Sequence, residues 1–414
     1  MKVLLHDNSG HPFQAQLSRA LAARGHRIVH SHCAAYVSGK GQLRSGPGDA
    51  VRFTAIGTGR RVAKDRMARR LAQELSYGAA LAALIRRERP DVVMITNTPL
   101  PTLAVAAAYL RLRRGPWVLW HQDVYAAALR SLAAQRDTPA LRMIARLAES
   151  IESWCARQAT QIVVIAESFR AVHTRWGTAA KMSVIPNWAP ADEIVPVSRD
   201  NKWAAEHGLI GTATLLYSGT LGLKHNPSLL VSLAAEVRRL GTEISLVVVN
   251  EGPAVEVLRA EAGACGVPLV CLPFQPYDRL SEVLGSGDAL VVLLEPDASN
   301  FSVPSKTLTY LCAGRPIIGL MPATNAATVL LQRAGCMVAA PLEASVAGAA
   351  AWVVDLLLAP QRAAQIGSAA RDLAVTEFTL EPTVDAFEAL LQVALGSVRA
   401  GAAEHREHRL PQDQ

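Results

Sequence analysis

The stretch from Ala289 to Met321, ALVVLLEPDASNFSVPSKTLTYLCAGRPIIGLM, most narrows what the chain can fold into. Ala289 to Leu294 is an unbroken apolar run rich in Val and Leu, the pattern of a strand buried on both faces. A polar loop from Glu295 to Pro304 follows. Ser305 stands where a helix cap would, with Leu308, Leu311 and Cys312 at core-facing spacing behind it. Gly314 and Pro316 close that helix, and Ile317 to Met321 is the next buried strand. Strand, loop, helix and strand in this form make one parallel crossover unit. In open parallel sheets, ligands sit beyond the carboxyl ends of the strands. Lys306 places a cation in the first helical turn, against the helix dipole. A bound phosphate accounts for it, because a helix start favours an anion. A lysine that only extends into solvent reads the same way.

At 414 residues the chain is long enough for two or three domains. Half of it is hydrophobic, which suits an α/β protein with ample apolar area to bury. The six cysteines form no CxxC pair, and several sit in apolar runs, so they read as reduced core residues. The opening MKVLLHDNSG turns polar too early for a signal peptide, and no run of about 18 apolar residues exists. These features set the expectation of a cytoplasmic protein not integral to a membrane. Residues 1–190 hold 27 Lys and Arg against 11 Asp and Glu; the remainder holds 15 against 24. The excess gathers in Arg60, Arg61, Lys64, Arg66, Arg69 and Arg70, in Arg86, Arg87 and Arg89, and in Arg111, Arg113 and Arg114. Such asymmetry suits contact with anionic lipid or nucleic acid, or a merely solvated basic face. Aromatic residues do not interleave the clusters, which argues against nucleic acid.

Along the chain, Lys2 to His6 reads as a strand, Asn8 to Pro12 as a turn and Phe13 to Arg24 as a helix. A dinucleotide-binding turn would show GxGxxG there. Gly10 is the turn's single glycine, so a nicotinamide-dependent oxidoreductase loses its main support. Ser38 to Asp49 reads as a flexible loop, and Lys64 to Glu88 as a long helix. The strand Trp117 to Trp120 ends in His121-Gln122-Asp123. A His and a carboxylate at a strand end can position and deprotonate a hydroxyl, or only tie the loop to its neighbours. One helix is expected from there to Ala156, and a strand at Ser183 to Ile185 ends the first domain. Pro186 to Asn201 reads as a hinge. The α/β pattern restarts at Thr214. Its first loop, Ser218 to Asn226, leads through Pro227 into a helix. Three helices close the chain, the last at Pro382 to Val398, with 400–414 expected to be disordered.

YSGTLGLKHNP, then VVNEGP, then SVPSKTLTYLCAGRPII, in that order and spacing, resemble the GT-B retaining glycosyltransferases of family four. NSGHPFQAQLSRALAARGH is similar to the same family's first β–α unit. The resemblance covers about residues 1–395. It is nearest to branches that build bacterial exopolysaccharide, colanic-acid-like polymers and O-antigen. It implies an α/β fold of GT-B type, two Rossmann-like doubly wound domains facing a central cleft. It places an acceptor domain at 1–190, rejoined by the helix at 380–398, and a nucleotide-sugar donor domain at 200–378.

The resemblance also assigns roles. Lys224 and Lys306 would stabilise the leaving diphosphate, as metal-free transfer needs donors and cations on the phosphate oxygens. Gly219 and Thr220 would bring backbone close to it, although the family often has Arg at the position of Thr220. Glu251, Gly252, Phe274, Pro304, Ser305 and Thr309 complete the donor side. His121 and Asp123, with Gly10 and His11, belong to the acceptor side. The family's frequent glutamate pair is absent, with Phe301 and Thr309 at its two positions. No DxD in suitable context and no His/Cys set suggests a metal, so no cofactor is expected beyond the nucleoside-diphosphate sugar, UDP-linked, as substrate.

The expected function is therefore transfer of a sugar to a lipid-linked or growing saccharide in bacterial surface polysaccharide synthesis. The basic first domain would rest on an anionic membrane at the inner face of the plasma membrane. Two alternatives stand beside it: a non-hydrolysing nucleotide-sugar epimerase, and a non-catalytic two-domain protein that binds a small ligand.

Overall fold

The computed structural model describes residues 1–36, 40–46, 48–57, 67–222, 225–300 and 302–407. The chain divides into two units, Met1–Pro186 together with the chain from Glu381 on, and Asn187–Leu380.

The first unit is built on seven parallel strands, β1 (Lys2–Asp7), β2 (Arg27–Cys33), β3 (Val51–Ile56), β4 (Val92–Thr96), β5 (Trp117–His121), β6 (Gln161–Val164) and β7 (Met182–Val184). Their order is β3-β2-β1-β4-β5-β6-β7. The chain winds outward from β1, then returns to lay β4 on its other side. That reversal puts a crevice beyond the carboxyl ends of β1 and β4. The central strands β1, β4, β5 and β6 are buried on both faces, whereas β3 at the edge is partly exposed. The last helix, Leu380–Glu407, belongs to the covering of this sheet. Its Phe387 ring lies 4.7 Å from Trp120. Arg24 pairs with Glu381 (2.7 Å), Asp385 (2.6 Å) and Glu388 (3.0 Å), and His26 with Glu388 (2.8 Å).

Several expectations change in this unit. The single helix after β5 is two, Tyr125–Arg136 and Pro139–Gln158. Asp137 adopts φ 41°, Thr138 accepts from Leu141 N, and Pro139 takes the first helical position, so the three residues end one helix and start another. The loop before β3 is tied down where it is described. The Arg19 guanidinium donates to Gln42 O (2.8 Å) and Arg44 O (3.3 Å) and pairs with Asp49 (3.2 Å). The helix after β3 is described from Met67, so Lys64 and Arg66 lie outside the described residues, as do Arg60 and Arg61. The final helix runs on to Glu407, past the expected end at Val398, through an Ala- and Glu-rich segment of good helix formers. Residues 408–414 lie outside the described residues.

The second unit has six parallel strands, β8 (Ala213–Ser218), β9 (Ile244–Val249), β10 (Leu269–Leu272), β11 (Ala289–Leu293), β12 (Ile317–Leu320) and β13 (Met337–Ala339). Their order, β10-β9-β8-β11-β12-β13, places the reversal between β8 and β11. Inward residues such as Leu215, Leu246, Val291 and Ile318 pack against Leu229, Leu233, Ala349 and Val353 from the covering helices. The segment from Asn187 lacks long regular elements but is firmly packed: Trp188 and Ile194 are buried. Arg371 donates to Ala191 O (2.9 Å), Ile194 O (2.7 Å) and Cys312 O (3.1 Å). A short helix missed in the sequence, Lys202–Glu206, is capped by Asn201. Of the six cysteines, Cys265 is exposed and Cys271 half-buried; only the other four are core residues.

Candidate functional site

In the second unit the constellation forms where β8 and β11 part. Lys306 begins the helix Lys306–Cys312, directly after the loop from β11. Its ammonium lies 3.7 Å from the centroid of the Tyr217 ring and hydrogen-bonds the Tyr217 hydroxyl. The ring's negative face and the phenol oxygen thus offset the dipole that opposes a cation at a helix start. Tyr217 in turn donates to Thr220 O at 2.9 Å. Four residues after Lys306, Tyr310 takes Ser218 N (2.8 Å) and gives to Ser218 O (3.0 Å), pinning the helix to the end of β8. Burial pushes both phenols up, so they stay neutral hydrogen-bonding groups at ordinary pH.

Gly219 is required where it stands. It holds φ 136°, and a Cβ there would come within 3.1 Å of Lys306 Nζ and 3.3 Å of Cε. The glycine backbone and the ammonium therefore share one corner. Asn250, at the end of β9, accepts from Leu221 N (3.1 Å) and extends the corner. Among the described residues its buried Nδ2, and the hydroxyl of Thr307, find no partner. His225 shapes the loop by accepting from Gly222 N (3.1 Å). Lys224 lies outside the described residues, as does Phe301.

The other donor-side positions lie on the loops and the helix start that follow these strands, with Thr309 inside the helix Lys306–Cys312. Glu251 is exposed, and Gly252 has φ 134°. Phe274 is half-buried, beside Gln275, which accepts from Trp203 Nε1 (3.0 Å). Pro304 is buried, Ser305 exposed and Thr309 half-buried. Ser305 precedes the helix but makes no capping bond through its side chain. Its backbone is already helical (φ −57°, ψ −27°), which correct capping geometry excludes.

In the first unit, Asp7 ends β1 and is wholly buried. Its carboxylate accepts from Ser9 N (3.1 Å), from His11 N (2.5 Å) and from Asn97 Nδ2 (3.0 Å), so it shapes the turn that holds Gly10 and His11 and bridges to the end of β4. Gly10 sits at φ 75°. Gly41 closes over the turn through Gly41 N to Gly10 O (2.9 Å). His121 is buried and has both ring nitrogens engaged, Nδ1 with His173 Nε2 (3.2 Å) and Nε2 with Glu152 (3.1 Å). Glu152 also accepts from Tyr125 N (2.9 Å) and Ala126 N (2.7 Å), so it caps the helix that follows β5. Asp123 is half-buried and lines a small cavity with Asn97, Thr98, Trp120, His121 and Glu152.

Residues 13–193 match the model of Glycosyltransferase Family 4. The whole chain superposes on a sucrose-phosphate synthase from Thermosynechococcus elongatus, with TM-score 0.72 at 13% identity, covering 96% of this chain and 100% of that one. It likewise matches Anabaena HepE in complex with UDP and glucose (0.69, 15%, covering 95% and 99%). The chain has the GT-B fold, and its residues 13–193 are similar to family 4 glycosyltransferases. A structure presented as a UDP-N-acetylglucosamine 2-epimerase from Listeria monocytogenes matches less closely (0.54, 11%, covering 100% and 99%). No curated protein matches the sequence.

In the second unit the corner of Gly219, Tyr217 and Lys306 can bring a fixed positive charge and open backbone to an anion. Among the described residues, no three His, Cys, Asp or Glu side chains converge as a metal site. Sequence reading missed Tyr217, Tyr310 and Asn250 here, and Asp7, Glu152 and His173 in the first unit. The signal for Tyr310 was its i+4 spacing from Lys306. Glu152 carries a direct test. Glu152→Ala strips acceptors from two helix-start N–H groups and from His121 in a buried site, and is expected to lower unfolding stability by about 3 kcal/mol. Urea denaturation checks it; a loss below about 1 kcal/mol would show that water replaces the carboxylate.

Proposed function

We propose that this protein is a glycosyltransferase that moves a sugar from a UDP-linked donor to a lipid-linked or growing saccharide, as in bacterial surface polysaccharide synthesis. The observation that carries the reading is the Lys306 ammonium held against Gly219 at the reversal between β8 and β11. Negative charge grows on the leaving diphosphate in the transition state, and a pre-positioned cation stabilises it without a metal. Lys224, on the loop after β8, is proposed as the second cation. Gly219 and Thr220 supply backbone to the phosphates. Glu251, Gly252, Phe274 and Thr309 face the nucleotide, with Thr309 giving a weaker ribose contact than a carboxylate would.

His121, fully engaged in the protein, acts on the acceptor by holding its loop, which leaves Asp123 as the group that meets the hydroxyl. Gly10 and His11 complete the acceptor side. Retention of configuration is proposed from the family. The enzyme works at the cytoplasmic face of an anionic membrane, where a polyprenyl-diphosphate acceptor lies, with its basic first unit toward the lipid. HepE's complexes with UDP-glucose, and with UDP and glucose, favour UDP as the nucleotide.

The epimerase alternative separates cleanly. With UDP-sugars and a mixture of prenyl-linked saccharides, release of UDP should depend on the acceptor. Conversion of a UDP-sugar to its epimer with no acceptor present would replace the transferase reading.

A further inference from the structure

The helix Pro139–Gln158 turns an apolar stripe outward. Met143 is 69% exposed, Ile144 42% and Leu147 60%. Spacing of one and four residues puts them on one arc, and half-buried Ile151 and Trp154 continue it along the next turns. Exposed Arg142 and Arg146 border the stripe. At the helix's far end Arg111 reaches Gln158 (3.2 Å), beside Leu112, which is 84% exposed, and Arg113 and Arg114. A contiguous exposed apolar strip marks an interaction surface rather than ordinary scatter.

Charge says what covers it. From residue 100 to 160 the chain has eight arginines and four acids. Of those acids Glu152 is buried, and Glu149 pairs with Arg130 and Arg175 at 3.3 Å each. Asp137 lies 3.9 Å from Arg142, and Asp123 is half-buried at the other end of the helix pair. An apolar strip edged by arginines complements an anionic bilayer, with hydrocarbon below and phosphates alongside.

We propose that this helix lies in the headgroup boundary of an anionic membrane, with Met143, Ile144 and Leu147 among the acyl chains and Arg142 and Arg146 on lipid phosphates. The proposal rests on the lipid-linked acceptor reading and places the contact on residues outside the basic run at Arg60 to Arg70.

Flotation of the full chain, without substrate, tests it. Vesicles of phosphatidylglycerol with phosphatidylethanolamine should carry the protein, and vesicles of phosphatidylcholine should not. Met143→Ser/Ile144→Ser/Leu147→Ser and Arg142→Glu/Arg146→Glu should each weaken binding by about tenfold or more. Arg69→Glu/Arg70→Glu should weaken it less. Thermal unfolding and UDP binding measured beside flotation report whether each variant is folded. Binding within about twofold of wild type in both stripe variants overturns the proposal. So does equal flotation on phosphatidylcholine, or a wild-type dimer that the serine variant dissociates with no change in flotation. UDP-sugar turnover on a soluble acceptor reports separately on the transferase reading, so either can fail alone.

Discussion

Lys306→Ala should lower glycosyl transfer about 100- to 1000-fold with the fold intact, the usual loss when one pre-positioned charge donor leaves a transition state. The expectation comes from placement. Lys306 Nζ sits against the backbone of Gly219 and over the ring of Tyr217, which orients the ammonium before any ligand arrives. Its contribution to stability is small, about 1 kcal/mol, the usual worth of a cation on an aromatic face. The helix itself stays pinned through Tyr310 to Ser218 and, through Arg371, at Cys312 O. Lys306→Arg should recover only part of the rate, since a planar guanidinium cannot occupy the space of a compact ammonium beside Gly219. Steady-state kinetics with wild type and both variants checks this. A fall of less than about threefold in Lys306→Ala would make the lysine a structural partner of Tyr217 and remove it from the chemistry.

Acid should unfold the first unit well above the range where carboxylates titrate. His6, His30 and His173 are buried, and burial holds each down to about 3 from the ordinary 6.5. After burial, the charges of Arg19 near His30 and of Lys181 near His173 act in the same direction. Each folded ring is therefore neutral where the unfolded ring would take a proton. Stability is complete above about pH 6.5 and falls as the pH drops from there toward 3. Each histidine contributes about 1.4 kcal/mol per pH unit, and the three together about 4 kcal/mol per unit. One unit of acidification thus removes a substantial part of the stability of an ordinary domain, about 5–15 kcal/mol. Urea midpoints at pH 8, 7, 6 and 5 measure it. A flat profile between pH 7 and 5 would mean that the rings already carry protons in the folded state.

The fold was legible because both sheets are parallel, and their central strands, buried on two faces, show as apolar runs between turn signals. In the Ala289–Met321 unit the two strands and the helix between them fall where the sequence puts them, within a residue. The break at Asp137-Thr138-Pro139 carried a clear Pro signal, yet unbroken apolar spacing on either side outweighed it. The site was legible in part. Gly219 and Lys306 announced themselves by residue type and place in a β–α loop. Tyr217 did not, because an aromatic at a strand end looks like core, and only the pairing of β8 with β11 brings the helix start at Lys306 over its ring. Glu152 and His173 were hidden for the same reason: a glutamate mid-helix and a lone histidine read as surface until the sheet folds them onto His121. Ser305 misled in the opposite sense, having the residue type of a cap without the backbone of one.

The most direct measurement compares the affinity of UDP with that of uridine, by calorimetry, in wild type and in Lys306→Ala. The account predicts that wild type prefers UDP by about tenfold or more, and that the variant loses most of this preference while still binding uridine. Equal affinity for UDP and uridine in wild type, or an undiminished preference in the variant, would contradict a diphosphate held at the corner of Gly219 and Lys306.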